Sequence, residues 1–347
     1  MSFHSWLIPL PDETFTSWLF RCAVDKECKV FTEARGQDYF SCAARIGDPD
    51  FNFSSPEFMN FCHETGLSPA ILIGCFKPEE YPLALFERRF SFCWHCVRED
   101  IKKHCLPCWR KSWCYTMFPY CQQHKCLLLV TDETPNFYKP WHAFATPVPK
   151  TDPQHELRLH SRRWGGISSQ LLDPKFGFKI QVWFRNLKNY RDPQADRSSS
   201  SSSPSSLFYF CESIFRLLLF SRTKFWSEGL ARYIFNNGND HIEHLAGDSM
   251  DSALLGASRA SPYHRMVALV LIGYIFDVFS ERELYDVVSA VELAGYTWPS
   301  DVETLGRMCA VGRLQEYREF IGGFPAEYVA LNNSVALFVK GASKEAL

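Results

Sequence analysis

A mainly α-helical chain carrying one small metal-binding module is predicted by three features of the sequence. Phe15, Trp18, Leu19 and Cys22 recur at helical spacing near the start. Cys93-x2-Cys96 and Cys121-x2-His124 form two matched pairs with twenty-four residues between them. Leu207–Phe225, Pro262–Phe279 and Glu281–Gly295 each carry a broad apolar face at the helical period. The division that follows is an N-terminal helical, helix-turn-helix-like unit over 1–92 and a zinc-binding module over 93–130. A proline-rich basic connector ending in a serine linker covers 131–206, and a C-terminal helical domain covers 207–347.

Taken in order, Asp12 behind Pro11 predicts an N-cap, with Glu13 in the first turn where the helix dipole favours a carboxylate. A first helix of about a dozen residues follows, with Trp18 in its buried stripe. Ser54-Ser55-Pro56 opens a second helical stretch bearing Phe58, Phe61 and Cys62. Gly66 closes it, and Ser68-Pro69 starts the next helix. That is a helix–turn–helix outline, but Pro69–Phe76 holds no Arg, Lys, Asn or Gln to reach a base edge. A hairpin for packing or partner binding is the better expectation. Pro78 and Pro82 break the pattern ahead of the first cysteine pair.

Thiolate and imidazole donors in two tight turns suit a tetrahedral zinc ion better than calcium or magnesium, which take oxygen. The candidate ligands are Cys93, Cys96, Cys121 and His124, in a closed structural site with the intervening chain folded back as a loop or hairpin. Cys105 and Cys108 make a rival four-cysteine set with Cys93 and Cys96. Its eight-residue spacer is short for two ligand turns and leaves Cys121 and His124 unexplained, which favours the first set. Cys114 and Cys126 are further sulfurs nearby, and all these cysteines compete with the plain reading of buried apolar thiols.

Within the module Arg98, Lys102, Lys103, Arg110 and Lys111 alternate with Trp94, Trp109, Trp113 and Tyr115. Arginine beside indole can clamp a nucleic-acid backbone, or the tryptophans can serve as the core of a unit too small to have another. Trp113 is expected to be structural, and Arg110 and Lys111 to be the exposed nucleic-acid contacts. Arg162 and Arg163, ahead of Trp164-Gly165-Gly166, are the second such candidates. Five prolines between Thr131 and Pro153 predict extended or irregular chain. Alternation of Phe178, Ile180, Val182 and Phe184 predicts a strand or extended arm over Phe176–Phe184. The tract Ser198–Ser203 predicts a flexible linker and the main domain boundary. Pro262 behind Ser261 marks a helix start, and Arg313–Phe320 and Pro325–Val339 are expected to be helical or packed coil.

Three stretches together resemble a known family. They are Cys93-x2-Cys96-Val97-Arg98-Glu99-Asp100, then Trp109-Arg110-Lys111-Ser112-Trp113, then Cys121-x2-His124-x2-Leu127-Leu128. This pattern resembles the zinc-finger signature of the TniQ family, which includes TnsD and selects target sites for certain bacterial transposons. The opening Pro9-Leu10-Pro11-Asp12-Glu13-Thr14-Phe15-Thr16-Ser17-Trp18-Leu19 is similar to the same family's start. One departure is the lack of a second cysteine cluster, since no cysteine falls between Cys126 and Cys211. The resemblance implies a non-enzymatic adaptor with an AAA+ ATPase regulator as partner and a transposase beyond it. Target recognition would be direct binding of DNA, as in the TnsD-like branch, or docking on a CRISPR guide-RNA effector complex; relatives of the second kind suggest a homodimer. The resemblance also sets Cys105 and Cys108 aside as ligands.

Composition agrees with a folded, soluble chain: 46% of the 347 residues are hydrophobic and 16% aromatic, ample for real cores. No secretory signal is visible at the start, so reduced, metal-ready cysteines and a cytoplasmic location are expected. The longest apolar run, Met266–Phe276, is eleven residues, short of the ~20 a membrane helix needs. Charge is uneven although the total is only −2: residues 1–87 carry −7, 88–197 carry +10 and 198–347 carry −5. The basic middle suits phosphate, or pairs internally with the acidic ends. Catalytic motifs are missing. There is no Gly-rich loop with Lys-Ser/Thr, and His241-Ile242-Glu243-His244 lacks the order of a zinc protease or deaminase motif.

Overall fold

The structure is a computed structural model. It describes residues 6–26, 28, 30–131, 135–146, 173–187, 206–221, 228–233, 250–293, 296–310, 315–326, 329 and 332–343. The chain divides into two compact units, Met1–Val148 and Pro149–Leu347. Both are helical, as expected.

In the first unit the helices are α1 (Phe15–Val24), α2 (Glu33–Ile46), α3 (Pro56–Thr65) and α4 (Pro69–Phe76). Helix α1 is the centre: every residue from Phe15 to Cys22 is buried, including Thr16, Ser17 and Arg21. Phe15 and Trp18 sit among Phe58, Phe61 and Phe76, with ring centroids 5.3–5.9 Å apart in edge-on or tilted pairs. Such rings each contribute about 1.5–3 kcal/mol by burial, and their edge-to-face geometry adds more. The expected N-cap moves. Thr14, not Asp12, precedes the helix, and Asp12 takes a left-handed φ of 62°. That turn frees the Asp12 carboxylate to accept from Ser112, at 2.5 Å from the hydroxyl and 3.2 Å from the amide.

Helices α3 and α4 meet at Gly66, whose φ of 68° is the left-handed C-cap expected of glycine there. Ser55 caps α3 by accepting the Phe58 amide at 3.2 Å. Helix α2, for which no sequence signal was drawn, runs against α1 and α3. Its Gly36 faces Phe137 so closely that a Cβ would stand 2.3 Å from the ring.

A two-stranded antiparallel ribbon follows, β1 (Ser91–Phe92) with β2 (Leu129–Val130), pairing Phe92 with Leu129. Between the strands lies α5 (Trp94–His104), where a loop or hairpin was expected. Cys93 occupies its N-cap position and Cys105, at φ 61°, its left-handed C-cap. Helix α6 (Lys139–Ala145) replaces the irregular chain expected after Thr131; Pro140 is tolerated because it falls in the first turn.

The module and the helices fall in the same compact unit and are hydrogen-bonded to each other. The Thr14 amide donates to the Trp109 carbonyl at 2.9 Å, and the Trp109 amide donates to Ser17 Oγ at 2.8 Å. Glu13 pairs with Arg110 as a short antiparallel bridge. The buried Glu13 carboxylate accepts from Arg21 Nε and Nη2, both at 2.7 Å, from Ser17 Oγ at 3.1 Å and from the Leu10 amide at 2.9 Å. The Ser-Trp-Leu stretch therefore has a physical reading: serine holds the module, while tryptophan and leucine fill the core.

In the second unit the described helices are α7 (Pro174–Leu187), α8 (Ser206–Leu218), α9 (Leu230–Tyr233), α10 (Met250–Leu254) and α11 (Gly256–Arg259). They continue with α12 (Pro262–Ile275), α13 (Glu281–Leu293), α14 (Val302–Cys309), α15 (Gln315–Gly322) and α16 (Asn333–Ser343). Helix α12 is buried along nearly its whole length and packs against α7, α8, α9 and α16. Its start is as expected, with Ser261 Oγ accepting the His264 amide at 3.3 Å and Pro262 in the first turn.

The strand expected over Phe176–Phe184 is instead helix α7. Phe176, Ile180, Phe184 and Leu187 form the buried face, while Val182 of the supposed alternating face is 43% exposed. The alternation was coincidental, and the period of four prevailed. Helix α7 packs within the second unit, so the division at Val148/Pro149 falls ahead of the serine tract at Ser198–Ser203, which lies outside the described residues. Helices α14 and α16 cross at contact distance through Gly306 and Gly341: a Cβ on Gly306 would stand 2.1 Å from the Phe338 carbonyl oxygen. No described helix is long and apolar enough to cross a membrane.

Candidate metal centre

The ribbon and α5 bring the two ligand pairs together. Cys93 leaves β1 directly into the N-terminus of α5, and Cys96 follows in its first turn. Amides at a helix start favour anions, so both sulfurs sit where a thiolate is stabilised. Opposite, the Cys121 amide donates to the Cys126 carbonyl at 2.9 Å, and Lys125 turns through a left-handed φ of 54°. That tight turn presents Cys121 and His124 on one side.

His124 Nδ1 lies 3.5 Å from Cys93 Sγ, 3.3 Å from Cys96 Sγ and 3.6 Å from Cys121 Sγ. Cys96 Sγ and Cys121 Sγ are 3.6 Å apart, and all four donor atoms lie within 4.8 Å of one another. A tetrahedral ion with metal–sulfur bonds of ~2.3 Å and metal–nitrogen bonds of ~2.0 Å spans edges of about 3.5–3.8 Å. The three edges from His124 and the Cys96–Cys121 edge, 3.3–3.6 Å, are close to those dimensions, and the cluster can hold a metal ion. Cys105 is exposed at the end of α5, and Cys108 is buried with its thiol toward the Trp109 carbonyl at 3.7 Å. Among the described residues the rival four-cysteine set is not assembled.

His124 Nε2 bonds Glu99 Oε1 at 2.9 Å, and Glu99 Oε2 also accepts from Gln123 Nε2 at 2.9 Å and Lys103 Nζ at 3.3 Å. The carboxylate thus fixes which imidazole nitrogen faces the sulfurs, the outer contact that orients metal-bound histidines. Glu99 was not singled out from sequence; its place three residues after Cys96 becomes informative only once α5 is a helix.

The four groups hydrogen-bond one another. Hydrogen bonds from Cys93 and Cys96 pull the Cys121 thiol down to about 2, and the same sharing pushes Cys93 and Cys96 up. Burial disfavours the His124 imidazolium, but Glu99 and Cys121 outweigh it and raise its pKa. A divalent cation replaces those shared protons with one charge held by all.

The decisive combination is a Cys3His cluster sharing one core with Trp109, whose backbone is hydrogen-bonded to Thr14 and Ser17 at the start of α1. Residues 5–128 match the TniQ family. The chain therefore carries a TniQ domain that takes in α1 to α5 and all four cluster residues. No curated protein and no solved structure matches the chain.

Of the residues expected to contact nucleic acid, Arg110 and Lys111 also bond within the TniQ domain. Arg110 is 17% exposed, bonded to Asp100 and, at 2.8 Å, to the Pro11 carbonyl. Lys111 Nζ donates to the Cys75 carbonyl at 3.0 Å and the Lys77 carbonyl at 3.3 Å. Arg162 and Arg163 lie outside the described residues. The exposed cations of α5 are Arg98, Lys102 and Lys103. Arg98 lies over the rings of Trp94 and Phe144, at 5.5 and 5.0 Å from their centroids. Trp113 is buried, as expected of a structural residue.

Proposed function

We propose that this chain is a non-enzymatic, zinc-containing adaptor that selects the target site of a bacterial transposon. In this reading it links a nucleic-acid targeting complex, a CRISPR guide-RNA effector, to an AAA+ regulator and the transposase, as a cytoplasmic and possible homodimeric component. The TniQ domain over 5–128 carries the reading: that family implies transposon target-site selection, partnership with transposition machinery and generally no catalysis. Zinc is the ion that three thiolates and one imidazole at tetrahedral spacing suit best. Cys93, Cys96, Cys121 and His124 hold it as a closed structural site with no position for a reacting water. Nucleic acid meets the module on the side of Arg98 and Lys102, one turn apart on α5, because Arg110 and Lys111 are tied internally.

The test is affinity capture with tagged AAA+ regulator, transposase and guide-RNA effector, beside duplex titrations at two salt concentrations. Capture by the protein components supports the adaptor. Binding of duplex alone, with a steep salt dependence and a sequence-specific footprint, supports instead a TnsD-like direct selector or a stand-alone DNA-binding regulator.

A further inference from the structure

Cys126 lies against the cluster but belongs to neither ligand pair. Its Sγ is 3.7 Å from Cys93 Sγ, the edge expected between two sulfurs on one tetrahedral zinc, about 3.8 Å. The turn that presents His124 also presents Cys126, since the left-handed Lys125 and the bond from the Cys121 amide to the Cys126 carbonyl close Cys121–Cys126 into one loop. An imidazole and a thiol two residues apart therefore both border Cys93. Cys126 is only half-buried, at the edge of the core that surrounds the cluster.

We propose that Cys126 is an alternate metal ligand that takes the place of His124. The ion is then held either by three thiolates and an imidazole or by four thiolates, with Cys93, Cys96 and Cys121 common to both. In the exchange the Cys126 thiol gives its proton to water as its sulfur–metal bond forms. The bond from the metal to His124 Nδ1 breaks, and the imidazole keeps its lone pair and its contact with Glu99. His124 can thus leave without release of the ion. This inference rests on the cluster being a metal site, and the experiment separates the two claims.

The full chain is titrated with Co2+, whose visible bands and sulfur-to-metal charge transfer distinguish three thiolates from four. His124→Ala is expected to bind one Co2+ with a four-thiolate spectrum and to lose less than about a hundredfold in affinity, the scale of losing an outer contact. His124→Ala/Cys126→Ser is expected to lose far more. Cys126→Ser alone is expected to keep the three-thiolate spectrum but to release Co2+ faster to a chelator, an arm that holds even where the histidine variant is insoluble. A three-thiolate spectrum in His124→Ala, or equal release rates for wild type and Cys126→Ser, overturns the role of Cys126 alone. Failure of the wild-type chain to bind Co2+ overturns the metal site as well.

Discussion

Asp50→Ala is the substitution that tests the packing of the first unit most sharply. The Asp50 carboxylate is fully buried and accepts from the Thr16 amide at 3.3 Å and the Thr16 hydroxyl at 2.5 Å. It thereby caps α1 from thirty-four residues away, where Thr14 offers no side-chain cap of its own. Its other oxygen accepts from Lys139 Nζ, with Arg89 Nη1 at 3.5 Å. Alanine leaves the Lys139 ammonium, 2% exposed, with no carboxylate, whereas Arg89 keeps Asp48 and the Ala84 carbonyl. Breaking a buried pair from one side costs about 3–5 kcal/mol, and the lost bonds to Thr16 add about 1 kcal/mol. With a urea slope of about 2 kcal/mol/M, the midpoint falls by about 2–3 M.

The companion variant Asp50→Ala/Lys139→Met removes the stranded charge and lays an apolar side chain against Phe86 and Trp109, each ring centroid 5.6 Å from Lys139 Nζ. It should recover about half the loss, because an apolar replacement of a buried pair is close to neutral. Urea unfolding followed by tryptophan fluorescence reads both. A loss under about 1 kcal/mol in the single variant, or no recovery in the double, refutes the argument. Acid gives an independent reading. Burial raises the Asp50 pKa, but Lys139 and Arg89 outweigh it and hold it below 3.8. A depressed folded pKa means the contribution is complete above the unfolded value and is lost as pH falls through the folded one. The advantage of wild type over Asp50→Ala should be flat at neutral pH and shrink only below 3.8.

Adding a chelator to chain first loaded with Zn2+ should lower the melting temperature of the first unit and make Cys93, Cys96 and Cys121 reactive to a thiol reagent; an unchanged melt would mean the cluster folds without metal. Glu99→Ala should weaken metal binding by about 10–100-fold in a competition titration, since His124 Nε2 loses its partner. Gly306→Ala should cost the second unit about 1–3 kcal/mol in calorimetry or more, because α14 and α16 must separate to admit the methyl. Arg98→Ala and Lys102→Ala should each reduce the salt slope of nucleic-acid binding by about one, while Arg110→Ala should leave the slope alone and lower stability.

The cluster of Cys93, Cys96, Cys121 and His124 was legible because two x2 pairs mark two tight turns in one dimension, whatever lies between. Helix starts at Pro56, Pro69 and Pro262 were legible for a similarly local reason, proline behind serine. What failed depended on distance along the chain. Asp12 looks like a cap until Ser112, a hundred residues away, claims its carboxylate. Arg110 and Lys111, read as phosphate contacts, also bond the Pro11, Cys75 and Lys77 carbonyls, which no local pattern foretells. Over Phe176–Phe184 two periods fit the same short window, and only packing against α12 chose between them.

The seam at Trp109 has a consequence for how such chains can be built. Its amide and carbonyl both end on α1, one through Ser17 and one through Thr14. A recombination crossover near residue 92 would pair one lineage's helix start with another's finger and strand a buried backbone donor on one side. Grafts of this region should succeed only when both sides of that joint travel together, so the finger is a poor candidate for independent exchange between proteins.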